Sequence, residues 1–162
     1  METLKITKLD LNANNEYIGK TDVTNFYGNI EIDKKLGYII FPTSLFAKGY
    51  IYAKAGSGIE AGWGIKAGEG IKAGSGIEAG LSITCKLSLC VKYRIFSGIA
   101  IWKKEVTQEE KTITCGKLES GIVEYGILKE IGLPSEVKEP VNLSGKEVNV
   151  TIDGKTYSAI IK

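Results

Sequence analysis

The chain has no histidine. That removes Ser-His-Asp and Cys-His nucleophile systems and the commonest general base near neutral pH. Lys, Glu and Tyr remain for acid–base work, so an enzyme is disfavoured rather than excluded. Arginine is almost missing too: Arg94 stands alone against twenty lysines. An AT-rich coding sequence would produce that skew without functional pressure. The three cysteines, Cys85, Cys90 and Cys115, make no disulfide framework and contain no C-x-x-C spacing. Without histidine, a zinc site would need four cysteines or added carboxylates, so no metal and no cofactor is expected. No apolar run is long enough to span a bilayer. The start, Met1-Glu-Thr-Leu-Lys-Ile-Thr-Lys8, is polar and mixed in charge, unlike a signal peptide. A soluble cytoplasmic protein without a membrane partner is expected. The formal charge of +2 is too small to indicate nucleic acid by itself.

What the chain does have is a repeat. Residues 53–82 recur every six positions, as in Ile59-Glu-Ala-Gly-Trp-Gly64, Ile65-Lys-Ala-Gly-Glu-Gly70 and Ile71-Lys-Ala-Gly-Ser-Gly76. A regular short period is the signature of a solenoid. In each unit a strand would point Ile and Ala to one side and Glu or Lys to the other. Gly-x-Gly then supplies a bend. Ser57, Trp63, Glu69 and Ser75 are expected at outward corners, because a buried Glu69 without a partner would be costly. A longer period lies above the first. Lys54-Ala-Gly-Ser-Gly-Ile-Glu-Ala-Gly62 returns identically at Lys72–Gly80, eighteen residues on. Three units per coil predict a triangular β-helix, with Ile59 over Ile77, Glu60 over Glu78 and Lys54 over Lys72. Five units make fewer than two coils, and stacked repeats need about three. The flanks or another subunit must complete the stack.

The flanks also read as strands. Residues 29–52 carry short apolar pieces broken by Gly37, Pro42 and Gly49. Earlier, Leu4, Ile6, Leu9 and Leu11 look strand-like. After the repeat, Leu81, Ile83, Cys85, Leu87, Leu89, Val91, Tyr93 and Ile95 alternate on one expected face. Ile83-Thr-Cys-Lys-Leu87 is echoed by Ile113-Thr-Cys-Gly-Lys-Leu118. Asp153-Gly154 between apolar alternations predicts a C-terminal hairpin, since the tight turn needs positive φ. The whole is expected to be all-β: a short triangular β-helix of hexapeptide type with flanking strands and a C-terminal β-hairpin. Its parts would be a β-helix domain over 1–102, a linker over 103–111 with Thr107 and Glu110 at capping-box spacing, and a small β region over 112–162.

Few residues suggest chemistry. Gly56-Ser-Gly-Ile-Glu-Ala61 fits the letters of a dinucleotide fingerprint. That fingerprint needs a helix opening after it, and the repeat forbids one. Lys86, Lys92 and Arg94 would share one strand face, able to clamp a phosphate or an acidic surface, or simply to be solvated. Trp63, large and set among glycines, is either an interface anchor or a cover for the interior. Cys85 and Cys115 read as inert core residues, Cys90 as the more reactive one. The candidate binding residues are Trp63, Glu69, Lys86, Lys92 and Arg94, with no catalytic residue and no metal ligand.

Three resemblances arise at the repeat. It resembles that of hexapeptide acyltransferases, which wind such units into a triangular left-handed β-helix and usually rely on a catalytic histidine. Trp63 and Glu69 stand where that pattern prefers small residues, and histidine is absent, so the likeness supports the coil and undercuts the enzyme. It is similar to bactofilins, short β-helices that polymerise end to end, except for its short regular core and C-terminal extension. Over Ile-Glu-Ala-Gly-Trp-Gly-Ile-Lys-Ala-Gly, Tyr93-Arg-Ile-Phe-Ser-Gly98 and Ile113–Gly126, it looks like small phage and prophage proteins. That likeness implies an inhibitor of bacterial defence, anti-CRISPR proteins included. The expected function is therefore a non-catalytic, protein-binding inhibitor in a bacterial host cell. Its partner would be a host protein or ribonucleoprotein complex, with nucleic acid or nucleotide contact left open. The alternatives are a self-assembling homo-oligomer and an acyltransferase-like enzyme.

Overall fold

A three-residue strand that ends at a glycine bend sends its successor in a new direction. Its pairing partner must then come from further along the chain. A computed structural model describes residues 1–133, 147–152 and 155–160, and strands dominate them. The lead-in holds β1 (Thr3–Ile6), β2 (Asn29–Ile32), β3 (Gly37–Phe41), β4 (Leu45–Ala47) and β5 (Ile51–Ala53). The repeat holds β6 (Ser57–Ala61), β7 (Ile65–Ala67), β8 (Ile71–Ala73) and β9 (Ile77–Ala79). There follow β10 (Ile83–Cys85), β11 (Ser88–Ser97), β12 (Thr112–Cys115), β13 (Lys117–Tyr125) and β14 (Ile127–Glu130). A hairpin pair, β15 (Glu147–Ile152) and β16 (Lys155–Ile160), ends the chain.

The chain is all-β, and its large sheets are parallel. β2, β5 and β8 pair in that order, as do β3, β6 and β9, and β4, β7 and β10. β11 is long enough to pair with β8 through Leu89–Val91 and with β9 through Ile95–Ser97. β1 adds to β2, β12 to β10, β13 to β11 and β14 to β12. The ladders therefore continue past residues 103–111. There Thr107 and Glu110 make the reciprocal capping bonds expected from their spacing, around a single turn. The two strands of the expected hairpin pair antiparallel, with Ile152 opposite Lys155. The connecting Asp153-Gly154 lies outside the described residues. Among those residues, no helix is long and apolar enough to cross a membrane.

Within the repeat the register is the eighteen-residue one. Ile59 faces Ile77, Ile65 faces Ile83, Ile71 faces Leu89 and Ile77 faces Ile95. All of these side chains are buried, together with Ala61, Ala67, Ala73 and Ala79. Before the repeat the spacing widens: Ile30 faces Ile51 and Ile51 faces Ile71. This corrects one expectation. Lys72 lies opposite Tyr52, not Lys54, and its ammonium sits 5.3 Å from the Tyr52 ring. Lys54 turns instead to Asp33 at 3.2 Å and Glu31 at 3.7 Å. The echo of Ile83-Thr by Ile113-Thr is direct stacking, with Ile83 opposite Ile113 and Thr84 opposite Thr114.

Three further expectations fail for local reasons. Ser57 is buried, not an outward corner. Its hydroxyl donates to the Asp33 carbonyl at 2.5 Å and accepts from the Leu36 amide at 3.0 Å. The longer preceding turn would otherwise leave those backbone groups unpaired in the interior. The single alternating face over 81–95 breaks at Leu87 and Tyr93, both exposed. The chain bends at each to join a different ladder. Leu9 is exposed as well, in a 3-10 turn (Lys8–Asp10) that Thr7 and Asp10 cap reciprocally.

Candidate functional site

Bends between strands stack as the strands do, so the candidate residues sort by corner. Trp63 lies between β6 and β7, above Thr43 and below Leu81: its amide donates to Thr43, and its carbonyl accepts from Leu81. Glu69 lies at the next corner, between β7 and β8. Its carbonyl accepts from the amides of Lys86 (2.9 Å) and Leu87 (3.1 Å), which places Lys86 on the same corner one rung on. Lys92 and Arg94 belong to a third bend, within β11, where Tyr93 donates its amide to Ser75. The five residues thus occupy three corners.

The expected common face for Lys86, Lys92 and Arg94 does not form. Lys86 precedes β11, and β11 changes partners between Val91 and Ile95. The Arg94 guanidinium donates to the Glu124 carboxylate at 2.9 Å. Lys92 holds its ammonium 4.9 Å from the Tyr93 ring.

The Trp63 corner is the most developed. Trp102 stacks on Trp63 with ring centroids 4.9 Å apart and planes 28° apart. Its indole N–H donates to the Gly62 carbonyl at 3.3 Å. The two residues are 49% and 51% exposed, and neighbouring Ile101 is 99% exposed. The loop bearing Trp102 is tied to the corner from below. The buried Ser97 hydroxyl donates to the Leu81 carbonyl at 3.0 Å, and the Gly98 amide donates to Ala79 and Leu81. Gly98 has φ +85 with the Lys111 side chain against it, so only glycine turns the chain there. Gly80 is needed for another reason: a Cβ there would lie 2.0 Å from the Gly62 carbonyl oxygen, the acceptor for Trp102.

Beside Trp102 runs a groove lined by Glu60, Ala61, Glu78, Ile99, Ala100 and Ile101. Glu60 and Glu78 face each other directly on β6 and β9. Partial burial and, secondarily, the Glu60 charge push the Glu78 carboxyl above its ordinary value. Trp63 was legible in the sequence. Trp102, Ile101 and the groove were not, because nothing in the spacing of residues 98–102 tells where that loop folds back.

The remaining candidates carry less. Cys85 and Cys115 are buried. Burial, helped by neighbouring Cys115, pushes the Cys85 thiol up to about 12. Burial, then the nearby Glu130, raises Cys115. Cys90 is half-buried, 3.2 Å from the Ser120 hydroxyl. Gly56–Ala61 runs into β6, and another strand follows it where a dinucleotide site would need a helix. Among the described residues, no group of three or more Cys, Asp or Glu is placed to hold a metal ion. Comparison with protein-family models, with curated proteins and with solved structures finds no match.

Proposed function

We propose that the chain is a short triangular β-helix acting as a non-catalytic binding scaffold, with the Trp63–Trp102 corner as its contact surface for a partner protein. The observation that carries this reading is the stacked indole pair, half exposed beside a wholly exposed Ile101. Tryptophan dominates binding hot spots because it combines a large apolar face with a polar N–H. A local exposed apolar patch of this kind marks an interaction site more often than chance. The eighteen-residue register supports the coil: three six-residue units return the chain to the same wall. Such a wall is stiff, and a stiff surface loses little entropy on binding.

The likeness to small phage proteins supplies the purpose, inhibition of a bacterial defence complex. The test is to mix the purified protein with such complexes and follow co-elution by size exclusion. Co-elution is expected, and Trp63→Ala with Trp102→Ala abolishes it. Consistent failure of the unaltered protein counts against the inhibitor reading. Co-elution that survives both substitutions moves the contact elsewhere.

A second reading, self-assembly, has its own observation. On the last rung among the described residues, Ile122, Ile127, Leu128, Ile131 and Leu133 are exposed. Parallel ladders that end on exposed apolar side chains invite another copy. Light scattering tests this reading, and a monodisperse monomer at high concentration removes it.

A further inference from the structure

We infer that the groove beside Trp102 receives a cationic side chain, a lysine or arginine on an exposed segment of the partner protein, held between the indole and the paired carboxylates of Glu60 and Glu78. This rests on the tryptophan corner being a contact surface.

The first ground is uncompensated charge. Glu60 and Glu78 are directly opposed on adjacent parallel strands, an arrangement that like charges disfavour. Among the described residues the ion pairs are Lys54 with Glu31 and Asp33, Arg94 with Glu124, and Lys103 with Glu110. None reaches Glu60 or Glu78. A cation between the two carboxylates would relieve the repulsion and gain charge-assisted hydrogen bonds.

The second ground is the apolar lining. Ala61, Ile99, Ala100, Ile101 and Trp102 border the carboxylates. A lysine or arginine stem is an alkyl chain that packs on such surface while its head reaches a polar floor. Indole is also the strongest aromatic acceptor for a cation.

A comparison within the molecule strengthens the case. Elsewhere lysines of this chain already sit over aromatic rings: Lys48 over Tyr27, Lys66 over Phe46, Lys72 over Tyr52. No such contact among the described residues involves Trp63 or Trp102. Here both the aromatic and the acidic partners await a cation from outside. The chain as a whole carries +2, so its overall field does not draw in a basic segment. Attraction must be local to this groove.

The test uses intrinsic fluorescence, because both tryptophans of the chain stand at this corner. Three short peptides without aromatic residues serve as probes, identical except for arginine, glutamine or glutamate at two positions. The arginine peptide is expected to change the emission saturably, and the other two to leave it unchanged. Glu60→Gln with Glu78→Gln is expected to weaken the arginine peptide at least tenfold, with circular dichroism confirming an unchanged fold. Glu124→Gln, whose carboxylate already serves Arg94, should bind as the unaltered protein does. Equal responses to the arginine and glutamine peptides would overturn the cation assignment, as would a double-glutamine variant that binds arginine unchanged. Silence with all three peptides overturns it too. The corner itself is judged separately, by the co-elution of the Trp63 and Trp102 variants.

Discussion

Trp102 stacks on Trp63 at 4.9 Å although thirty-nine residues separate them in the chain. The contact joins a repeat corner to the loop that follows β11. It holds that loop against the corner together with the Trp102 bond to Gly62. The stack is thus a clasp at the corner proposed as the contact surface. Trp102→Ala is expected to lower stability by about 1 kcal/mol, the usual worth of an aromatic pair. Urea denaturation measures this. No loss would mean that the loop is held by Ser97 and Gly98 alone.

Ser57 and Ser75 occupy equivalent positions in units eighteen residues apart but differ in environment. Only Ser57 is fully buried, between the Asp33 carbonyl and the Leu36 amide. Ser57→Ala leaves both groups unpaired and is expected to cost about 1–3 kcal/mol. Ser75→Ala should stay within about 0.5 kcal/mol of zero, as surface changes do. Parallel thermal melts of the two variants decide it, and equal losses would contradict the burial difference.

Glu78 gives a pH dependence of definite sign. Its carboxyl titrates above the ordinary 4.5 in the folded chain, through burial and then Glu60. The unfolded chain restores the ordinary value. Between the two values the folded state binds more protons, so this group's contribution to stability falls as pH rises through that window. Glu78→Gln should therefore raise the melting temperature at neutral pH. The gain should vanish below about pH 4, where the carboxyl is protonated in both states. A gain independent of pH would refute the assignment.

The thiols should separate by access. Cys85, pushed up to about 12, and Cys115, also raised, are buried and protonated at pH 8. Cys90 alone is half-buried. Titration with a thiol reagent under native conditions should modify Cys90 only, and the other two after denaturation. Native modification of Cys85 would show that the sheets open locally at β10.

Arg94 tests how much a surface pair contributes. Both it and Glu124 are largely solvent-exposed. Exposed pairs contribute at most about 1 kcal/mol. Arg94→Ala should therefore be nearly neutral in denaturant unfolding, and a loss several times larger would assign the pair a structural role.

Much of the strand architecture was legible in the residues from 59 to 80. A six-residue unit with glycine at the bend dictates a short strand, and its Ile and Ala alternate with Glu and Lys because strand side chains alternate faces. The exact recurrence of Lys54–Gly62 at Lys72–Gly80 announced the eighteen-residue register on which Glu60 meets Glu78. Outside that run the pairing spacing changes, and no local pattern encodes it. Lys72 therefore meets Tyr52, and Ser57 turns inward to serve an earlier turn. The candidate site divides in the same way. Trp63 stood out because a large aromatic among glycines must lie at a bend. Its partner Trp102, the exposed Ile101 and the groove over Glu60 and Glu78 arise from a loop that folds back onto the corner. Alternation and bend chemistry act over a few residues, so sequence alone determines them. Which corner meets which loop depends on how many residues each turn takes, and only the packed chain decides that.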